Sequence, residues 1–134
     1  MATIETKYLG ELRTEARHVS SGNQVITDAP IDNQGKGEAF SPSDLLTASL
    51  GSCMLTIMGI AAREQQISVD GATCSITKIM ASEPRRVSEI QLMFNMPTND
   101  FSEKQRIIIE RSARTCPVAR SLHPDLIQDV VFNW

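Results

Sequence analysis

The 134-residue sequence has few of the residues that mark secreted, metal-binding or nucleic-acid-binding proteins. It has only three cysteines, too few and too widely spaced for the disulfide framework of a small secreted domain. Its 13 Lys and Arg are outnumbered by 16 Asp and Glu, so it lacks the basic footprint of a nucleic-acid-binding protein. It contains no C-x-x-C, H-E-x-x-H or other ligand-spaced cluster, so no bound metal is expected.

Signatures of nucleotide cofactors and of export are also missing. The sequence contains no G-x-G-x-x-G, no P-loop and no G-x-S-x-G. Its N-terminal stretch, MATIETKYLGELRTEAR, is polar and has no apolar signal-peptide region. We therefore expect no cofactor, and a cytoplasmic location in which the thiols start reduced. A hydrolase whose cysteine and histidine meet only in space stays open.

One long uncharged stretch raises the question of a membrane. Residues 45–62 carry no charge over 18 positions, which reaches the length of a transmembrane helix. Small and polar residues interrupt it at Thr47, Ser49, Gly51, Ser52, Thr56 and Gly59. A helix that is apolar on most sides is also typical of the centre of a globular core, so we expect no membrane. Because a small sheet covers only one side of such a helix, a second subunit is expected to cover the rest, which predicts a homodimer.

The predicted order of elements is β-β-β-α-β-β-α-α-β, which indicates an α+β fold rather than an alternating parallel sheet. Three short strands are predicted within residues 3–27, and longer ones at 67–80, 87–96 and 126–134. No internal repeat or interdomain linker interrupts the sequence. A single domain over residues 1–134 is therefore expected.

Capping signals predict where the helices begin. The stretch Ser41-Pro42-Ser43-Asp44 combines a capping serine, a first-turn proline and an acid at the third position, and predicts a helix to about Gln66. Asp44 stands there in place of the usual Glu or Gln. Ser102 and Gln105 form the corresponding pair for a second helix that ends near residue 115.

Cys116 lies where thiol chemistry is plausible. It precedes Pro117 as the predicted N-cap residue of a short third helix, where backbone amides and the helix dipole lower a thiol pKa. Arg114 and Arg120 add positive charge nearby. A plain helix start is the structural alternative, although cysteine is a poor capping residue.

Cys53 lies in the middle of the long helix, within Leu50-Gly51-Ser52-Cys53-Met54. A small buried hydrophobe is the commoner role of a free cysteine. The small neighbours Gly51 and Ser52 favour chemistry instead, because they leave space for a ligand or another chain to approach the sulfur. Cys74, in a predicted strand without a cap, proline or arginine beside it, is expected to be structural.

Two cysteine-containing segments follow each other along the chain, about sixty residues apart. They read Ser41-Pro42-Ser43-Asp44-Leu45-Leu46 with Ala48-x-Leu50-Gly51-x-Cys53, and Thr115-Cys116-Pro117-Val118-Ala119-Arg120. Together they resemble the two cysteine motifs of the OsmC/Ohr family, the osmotically inducible protein C and organic hydroperoxide resistance proteins. The short N-terminal strands also resemble the N-terminal meander of that family.

The resemblance implies an α+β fold with antiparallel sheets around a long buried central helix, in an intertwined homodimer with active sites at the subunit interface. It also implies a thiol-dependent peroxidase that reduces organic hydroperoxides to alcohols in oxidative or osmotic stress defence. By that resemblance, Cys53 attacks the peroxide and becomes a sulfenic acid, and Cys116 resolves it as a disulfide. A dithiol, in part of the family a lipoyl group, then reduces the pair.

The residues that would activate Cys53 depart from the family pattern. The best-known members place a Glu ten residues before the first cysteine, where this sequence has Ser43. The neighbouring Asp44 is expected about 13 Å along the helix from Cys53 and on the opposite face, so a link between them requires a bridging arginine. A plain helix cap is the favoured interpretation of Asp44. Arg13 is chosen over Arg17 as the family arginine, which comes from an N-terminal strand or loop, often of the partner subunit.

Two other functions stay open. The first is a non-catalytic protein that binds a small apolar molecule beside Cys53, and the second is a structural stress protein whose role is its dimer. If Leu50, Met54, Ile57 and Met58 line the site, they favour an organic peroxide over hydrogen peroxide. Plain core packing is the commoner fate of apolar side chains at helical spacing.

Overall fold

The computed structural model describes residues 1–134 and confirms the predicted order of strands and helices. The strands are Ile4–Gly10 (β1), Arg13–His18 (β2), Gln24–Asp28 (β3), Thr73–Ser82 (β4), Arg85–Asn95 (β5) and Ile127–Asn133 (β6). The α-helices are Pro42–Glu64 (α1), Glu103–Arg114 (α2) and Pro117–Ser121 (α3). A single 3-10 turn, Ile31–Asn33, lies in the loop before α1.

The segment between α1 and β4 differs from the prediction. A strand was predicted from residue 67, but β4 begins only at Thr73. Gln66 has a positive φ of 58°, and the amide of Ile67 donates to the carbonyl of Ala62 at 2.9 Å, so the chain turns sharply as α1 ends. Val69 is buried in the core without pairing to a strand. Val69 is apolar because it packs in the core, and an apolar residue at this position also fits the pattern of a buried strand.

The contacts separate the chain into two compact units, Met1–Leu46 and Thr47–Trp134. The first unit contains the antiparallel meander β1-β2-β3. Its buried side chains are polar ones, namely Thr27, Asp28 and Ser41. The expectation of one domain over residues 1–134 stays a prediction.

The second unit contains a sheet of order β4-β5-β6. β4 and β5 pair antiparallel, whereas β5 and β6 pair parallel. The expectation of antiparallel sheets was therefore wrong for β6. The chain between β5 and β6 includes α2 and α3, and a connection of that length allows the last strand to run in the same direction as its neighbour.

One face of α1 belongs to the core of the second unit. Leu50, Met54 and Met58 are fully buried, so plain core packing accounts for them. A Cβ atom on Gly51 would lie 2.5 Å from Cδ1 of Ile76 on β4. The prediction that Gly51 leaves space for a ligand was wrong on this side, because Ile76 occupies it.

The opposite face of α1 is open to solvent in the single chain. By length and composition alone α1 could cross a membrane, with a mean hydropathy of 1.8 over its most apolar window, of which 39% is buried. The core helix of a soluble protein meets the same criterion. Exposed positions recur at helical spacing along α1, at Leu46, Ser49, Ser52, Thr56 and Ile60.

α2 begins with the predicted capping box. Ser102 Oγ accepts from the amide of Gln105 at 3.1 Å, and Gln105 Oε1 accepts from the amide of Ser102 at 2.9 Å. We expect Ser102→Ala to lower the free energy of unfolding by about 1 kcal/mol, because an N-terminal amide of the helix loses its acceptor. Urea unfolding measures the change. The matched control is Lys104→Ala in the same turn, and an equal effect of both substitutions would contradict the prediction.

Candidate active site

Cys53 and Cys116 meet in the second unit. The Cys53 side chain, on α1, packs against the core cluster that contains Cys116, the residue immediately before α3, and lies close enough to raise the pKa of the Cys116 thiol. Both cysteines are free thiols. They come together because α1 and the residues that begin α3 pack into the same hydrophobic core. Two adjacent thiols form a disulfide readily once one of the sulfurs has been oxidised to a sulfenic acid.

Cys116 is the N-cap residue of α3, as predicted, and is fully buried. Its Sγ accepts from the amide of Ala119 at 3.4 Å. Burial raises the pKa of the Cys116 thiol, the Ala119 amide lowers it, and the neighbouring Cys53 raises it again. The net direction is upward, so the predicted lowering of this thiol pKa was wrong. Desolvation of the thiolate outweighs the amides of a helix of only five residues.

Cys53 is the more accessible member of the pair. It is partly exposed, whereas the sulfur of Cys116 is shielded from solvent. A molecule that arrives from solvent therefore reaches Cys53 first. The arrangement suits a two-step reaction, in which Cys53 first reacts with a substrate and the buried Cys116 then reacts with the oxidised form of Cys53.

Cys74, on β4, is the third thiol. Its Sγ packs against Gly51 of α1, 3.6 Å from where a Cβ atom would stand. Burial raises the pKa of Cys74 to about 11. A thiol with that pKa stays protonated at neutral pH and is a poor nucleophile, which supports the structural interpretation.

Neither histidine is paired with a cysteine. Nδ1 of His18 lies 2.6 Å from Oγ of Ser21 in the turn after β2, in the first unit. Nδ1 of His123 accepts from the amide of Asp125 at 3.0 Å in the turn after α3. With no hydrogen bond between a cysteine and a histidine, the structure gives no support to a Cys–His hydrolase.

Arg13 is held by two carboxylates of the first unit. Its Nε donates to Asp28 Oδ1 at 2.7 Å, and its Nη2 donates to Asp28 Oδ2 at 2.8 Å and to Glu38 Oε2 at 3.1 Å. These contacts raise the pKa of Arg13, chiefly through the hydrogen bond to Asp28. Arg17 has a single exposed partner, Glu5, at 3.0 Å. The fixed geometry of Arg13 distinguishes it from Arg17.

Sequence reasoning missed Asp28 and Glu38. Arg13 and Asp28 face each other as the terminal pair of the β2–β3 register. Part of the signal for this pair was available, since two strands joined by a short turn were predicted here. The third strand was predicted to end at residue 27, however, so Asp28 fell just outside the predicted hairpin, although an arginine opposite an aspartate is a favourable cross-strand pair.

Asp44 and Ser43 lie in the first turn of α1. Asp44 Oδ2 accepts from the amide of Ser41 at 3.0 Å, and Ser41 Oγ accepts from the amide of Asp44 at 3.0 Å. The cap interpretation of Asp44 is therefore confirmed. Ser43, where the family glutamate would stand, has its Oγ 3.2 Å from Ser41 Oγ. A role of Asp44 toward Cys53 through an arginine stays a prediction.

Comparison with protein families gives one match, a family model described as OsmC-like protein, over residues 35–128. A crystal structure from Psychrobacter arcticus 273-4 is 52% identical and covers 99% of this chain and 96% of its own, with a TM-score of 0.95. That protein is provisionally assigned to the osmotic stress and detoxification response. No protein with a curated description matches the chain.

More distant structures share the fold. An organic hydroperoxide resistance protein OsmC from Legionella pneumophila is 15% identical and superposes with a TM-score of 0.77 over 100% of this chain and 98% of its own. The organic hydroperoxide resistance protein OhrB of Bacillus subtilis is 14% identical, with a TM-score of 0.67 over 99% of this chain and 98% of its own. At these identities the likeness shows the α+β fold alone.

Proposed function

This chain belongs to the OsmC-like protein family, and we propose that it is a thiol-dependent peroxidase that reduces organic hydroperoxides to alcohols in stress defence. The observation that carries the proposal is that the partly exposed Cys53 packs against the core cluster that holds the buried Cys116, near enough to act on its thiol. Support comes from the stress and detoxification assignment of the Psychrobacter relative and from the hydroperoxide resistance named for the Legionella and Bacillus proteins.

The first proposed step oxidises Cys53. Its thiolate attacks the terminal oxygen of the hydroperoxide, an S–O bond forms, and the O–O bond breaks. The alkoxide leaves and takes up a proton to become the alcohol. The peroxide is reduced by two electrons, and the sulfur of Cys53, oxidised by the same two electrons, becomes a sulfenic acid.

The second proposed step uses Cys116. Its sulfur attacks the sulfenic sulfur, an S–S bond forms, and the hydroxyl group leaves as water with the proton of the Cys116 thiol. The raised pKa of Cys116 means that it waits as a neutral thiol, which keeps it from competing with Cys53 for the peroxide. A small dithiol, lipoyl groups being one class, then reduces the disulfide by exchange. The proposal includes a cytoplasmic location, in which thiols start reduced.

Arg13 is the proposed activator of Cys53. A guanidinium beside a thiol favours the thiolate, which is the nucleophilic form. Arg13 is suited to this role because its guanidinium is held by the buried Asp28, whereas Arg17 pairs with a single exposed glutamate. In the family pattern such an arginine is often contributed by the partner subunit, which makes the proposed site depend on a dimer.

The proposed homodimer would cover the exposed face of α1. Ile60 on that face is 50% exposed, although it lies in the most apolar helix of the chain. We expect Ile60→Glu to convert a dimer into monomers, because a charge would be buried in an apolar interface. Analytical ultracentrifugation at several protein concentrations measures the change. Ile127→Glu on β6, where Ile127 is 57% exposed, is the matched control and should leave the dimer intact. A monomeric wild-type protein would contradict the proposal.

The peroxidase proposal is tested on the reduced wild-type protein. An equimolar amount of cumene hydroperoxide should be consumed, with the loss of both free thiols of the pair and the appearance of a peptide linked through Cys53 and Cys116 in the mass spectrum. The thiol of Cys74 should survive. Unchanged thiols after treatment, in protein whose Cys53 reacts with iodoacetamide, would refute the proposal.

A further inference from the structure

We infer that Asp28 is a positioning residue for the proposed reaction, and that it fixes the Arg13 guanidinium so that one edge alone remains to bind an anion. The inference rests on the proposed function, in which Arg13 activates Cys53.

Asp28 is a buried carboxylate whose hydrogen bonds are directed at Arg13. It is only 1% exposed, yet it accepts from Nε and Nη2 of Arg13 at 2.7 and 2.8 Å in a two-pronged arrangement. Its Oδ2 also accepts from the amide of Glu38 at 3.1 Å. Arg13, chiefly through its hydrogen bond, lowers the pKa of Asp28, so the carboxylate is charged at neutral pH. A two-pronged pair of this kind fixes both the distance and the plane of the guanidinium.

The backbone around the pair is also fixed. Arg13 and Asp28 are cross-strand partners at the end of the β2–β3 ladder. The amide of Asp28 donates to the carbonyl of Phe40 at 3.0 Å, and the amide of Ala29 donates to the carbonyl of Leu12 at 3.0 Å. The loop before α1 is thereby folded back onto the strand end. Glu38, which lies in that loop, reaches Arg13 as a result.

The hydrogen bonds leave one part of Arg13 unused. Nε donates to Asp28, and Nη2 donates to both Asp28 and Glu38, so every N–H group on these two nitrogens has an acceptor. The two N–H groups on Nη1 have no partner within the first unit. An anion such as a thiolate therefore meets Arg13 at Nη1. Because Asp28 already holds the side chain, little rotamer freedom remains to be lost when the anion binds.

The two carboxylates differ in what they contribute to Arg13. Asp28 and Glu38 carry two negative charges against the one positive charge of Arg13. Lys36 also acts on Asp28, but it is itself paired with Glu11 at 2.8 Å, so one negative charge remains in excess and weakens the attraction of Arg13 for an anion. Asp28 supplies the two-pronged contact that holds Arg13. Glu38 contributes one exposed bond, at 3.1 Å, and an unwanted charge. Glu38→Gln keeps an acceptor oxygen and removes that charge, so it should make the reaction faster.

The test measures two rates on the full-length protein, namely disulfide formation with cumene hydroperoxide and alkylation of Cys53 by iodoacetamide between pH 5 and 9. We expect Asp28→Asn to slow both about tenfold at pH 7 and to move the alkylation profile to higher pH, because a neutral amide cannot hold Arg13 in the same way. Arg13→Lys keeps the charge without the planar fork, and should slow both rates similarly. Glu5→Gln, which removes the exposed carboxylate paired with Arg17, is the matched control and should leave both rates unchanged.

A double-mutant cycle separates positioning from general destabilisation. If Asp28 acts through Arg13, Asp28→Asn should have no further effect on either rate in an Arg13→Ala background. Wild-type rates in both Asp28→Asn and Arg13→Lys would overturn the inference, as would an equal loss from Asp28→Asn with and without Arg13. If no disulfide forms in the wild type while alkylation still depends on Arg13 and Asp28, the inference stands and the peroxidase proposal fails.

Discussion

Cys53→Ser is expected to abolish hydroperoxide consumption, with a loss on the order of 10³-fold or more, because a serine hydroxyl cannot replace a thiolate nucleophile. Cys116→Ser should behave differently. It should consume one equimolar portion of cumene hydroperoxide and stop at the Cys53 sulfenic acid, since the sulfur that would condense with it is gone. A ferrous-ion peroxide assay measures consumption, and dimedone labelling with mass spectrometry detects the sulfenic acid.

Cys74→Ala is the matched control for these substitutions. It removes a thiol of raised pKa from the same unit without touching the Cys53–Cys116 pair, so both hydroperoxide consumption and disulfide formation should be retained. Rapid consumption by Cys53→Ser would contradict the assignment of the nucleophile. Dimedone labelling of wild type equal to that of Cys116→Ser would contradict the role of Cys116, because a functional second thiol removes the sulfenic acid quickly.

The local signals in the sequence predicted the helices well. The capping pairs at Ser41 with Asp44 and at Ser102 with Gln105 act over a single turn, and both are present in the structure. Pro117 placed Cys116 correctly at the start of α3 for the same reason. Such features are predictable because the groups that bond are neighbours in the chain and require no knowledge of the rest of the fold.

Features that depend on distant residues were not predictable from local patterns. The parallel pairing of β6 with β5 depends on the path of the chain through α2 and α3. The raised pKa of Cys116 depends on how much of the core covers it, and a helix N-terminus indicates only the opposing influence of the amides. The carboxylate that the sequence indicates nearest to Cys53 is Asp44 on α1, whereas Asp28 meets Arg13 across a hairpin.

The resemblance, not the spacing, predicted that Cys53 and Cys116 act together. Nothing in about sixty intervening residues shows that their sulfurs are neighbours. The fold explains the contact, because both cysteines belong to the core cluster around the β4-β5-β6 sheet. The same core determines their difference, since it encloses Cys116 completely and leaves Cys53 partly exposed. Burial therefore distinguishes the two thiols more than any feature of their local sequence does.

The stability of this core is expected to depend strongly on Phe94. Phe94 is fully buried on β5 and stacks on Phe132 of β6, with ring centroids 5.2 Å apart and an interplanar angle of 14°. We expect Phe94→Ala to lower the free energy of unfolding by about 3–5 kcal/mol, because it removes a large apolar side chain and leaves a cavity. Urea denaturation at a fixed protein concentration measures the change, since dissociation of a dimer would add a concentration-dependent contribution.

Met93→Ala is the matched control, since Met93 precedes Phe94 on the same strand and faces the other way. Met93 is 47% exposed, so Met93→Ala should lower the free energy of unfolding by much less than Phe94→Ala does. Equal effects of the two substitutions would contradict the assignment of the inner face of the β4-β5-β6 sheet as the core. Phe94→Ala should also expose Cys116 to alkylation in the folded protein, because Phe94 and Cys116 belong to one buried cluster. Faster alkylation of Cys116 in Phe94→Ala, together with an unchanged alkylation rate in Met93→Ala, would show that this cluster shields the Cys116 thiol.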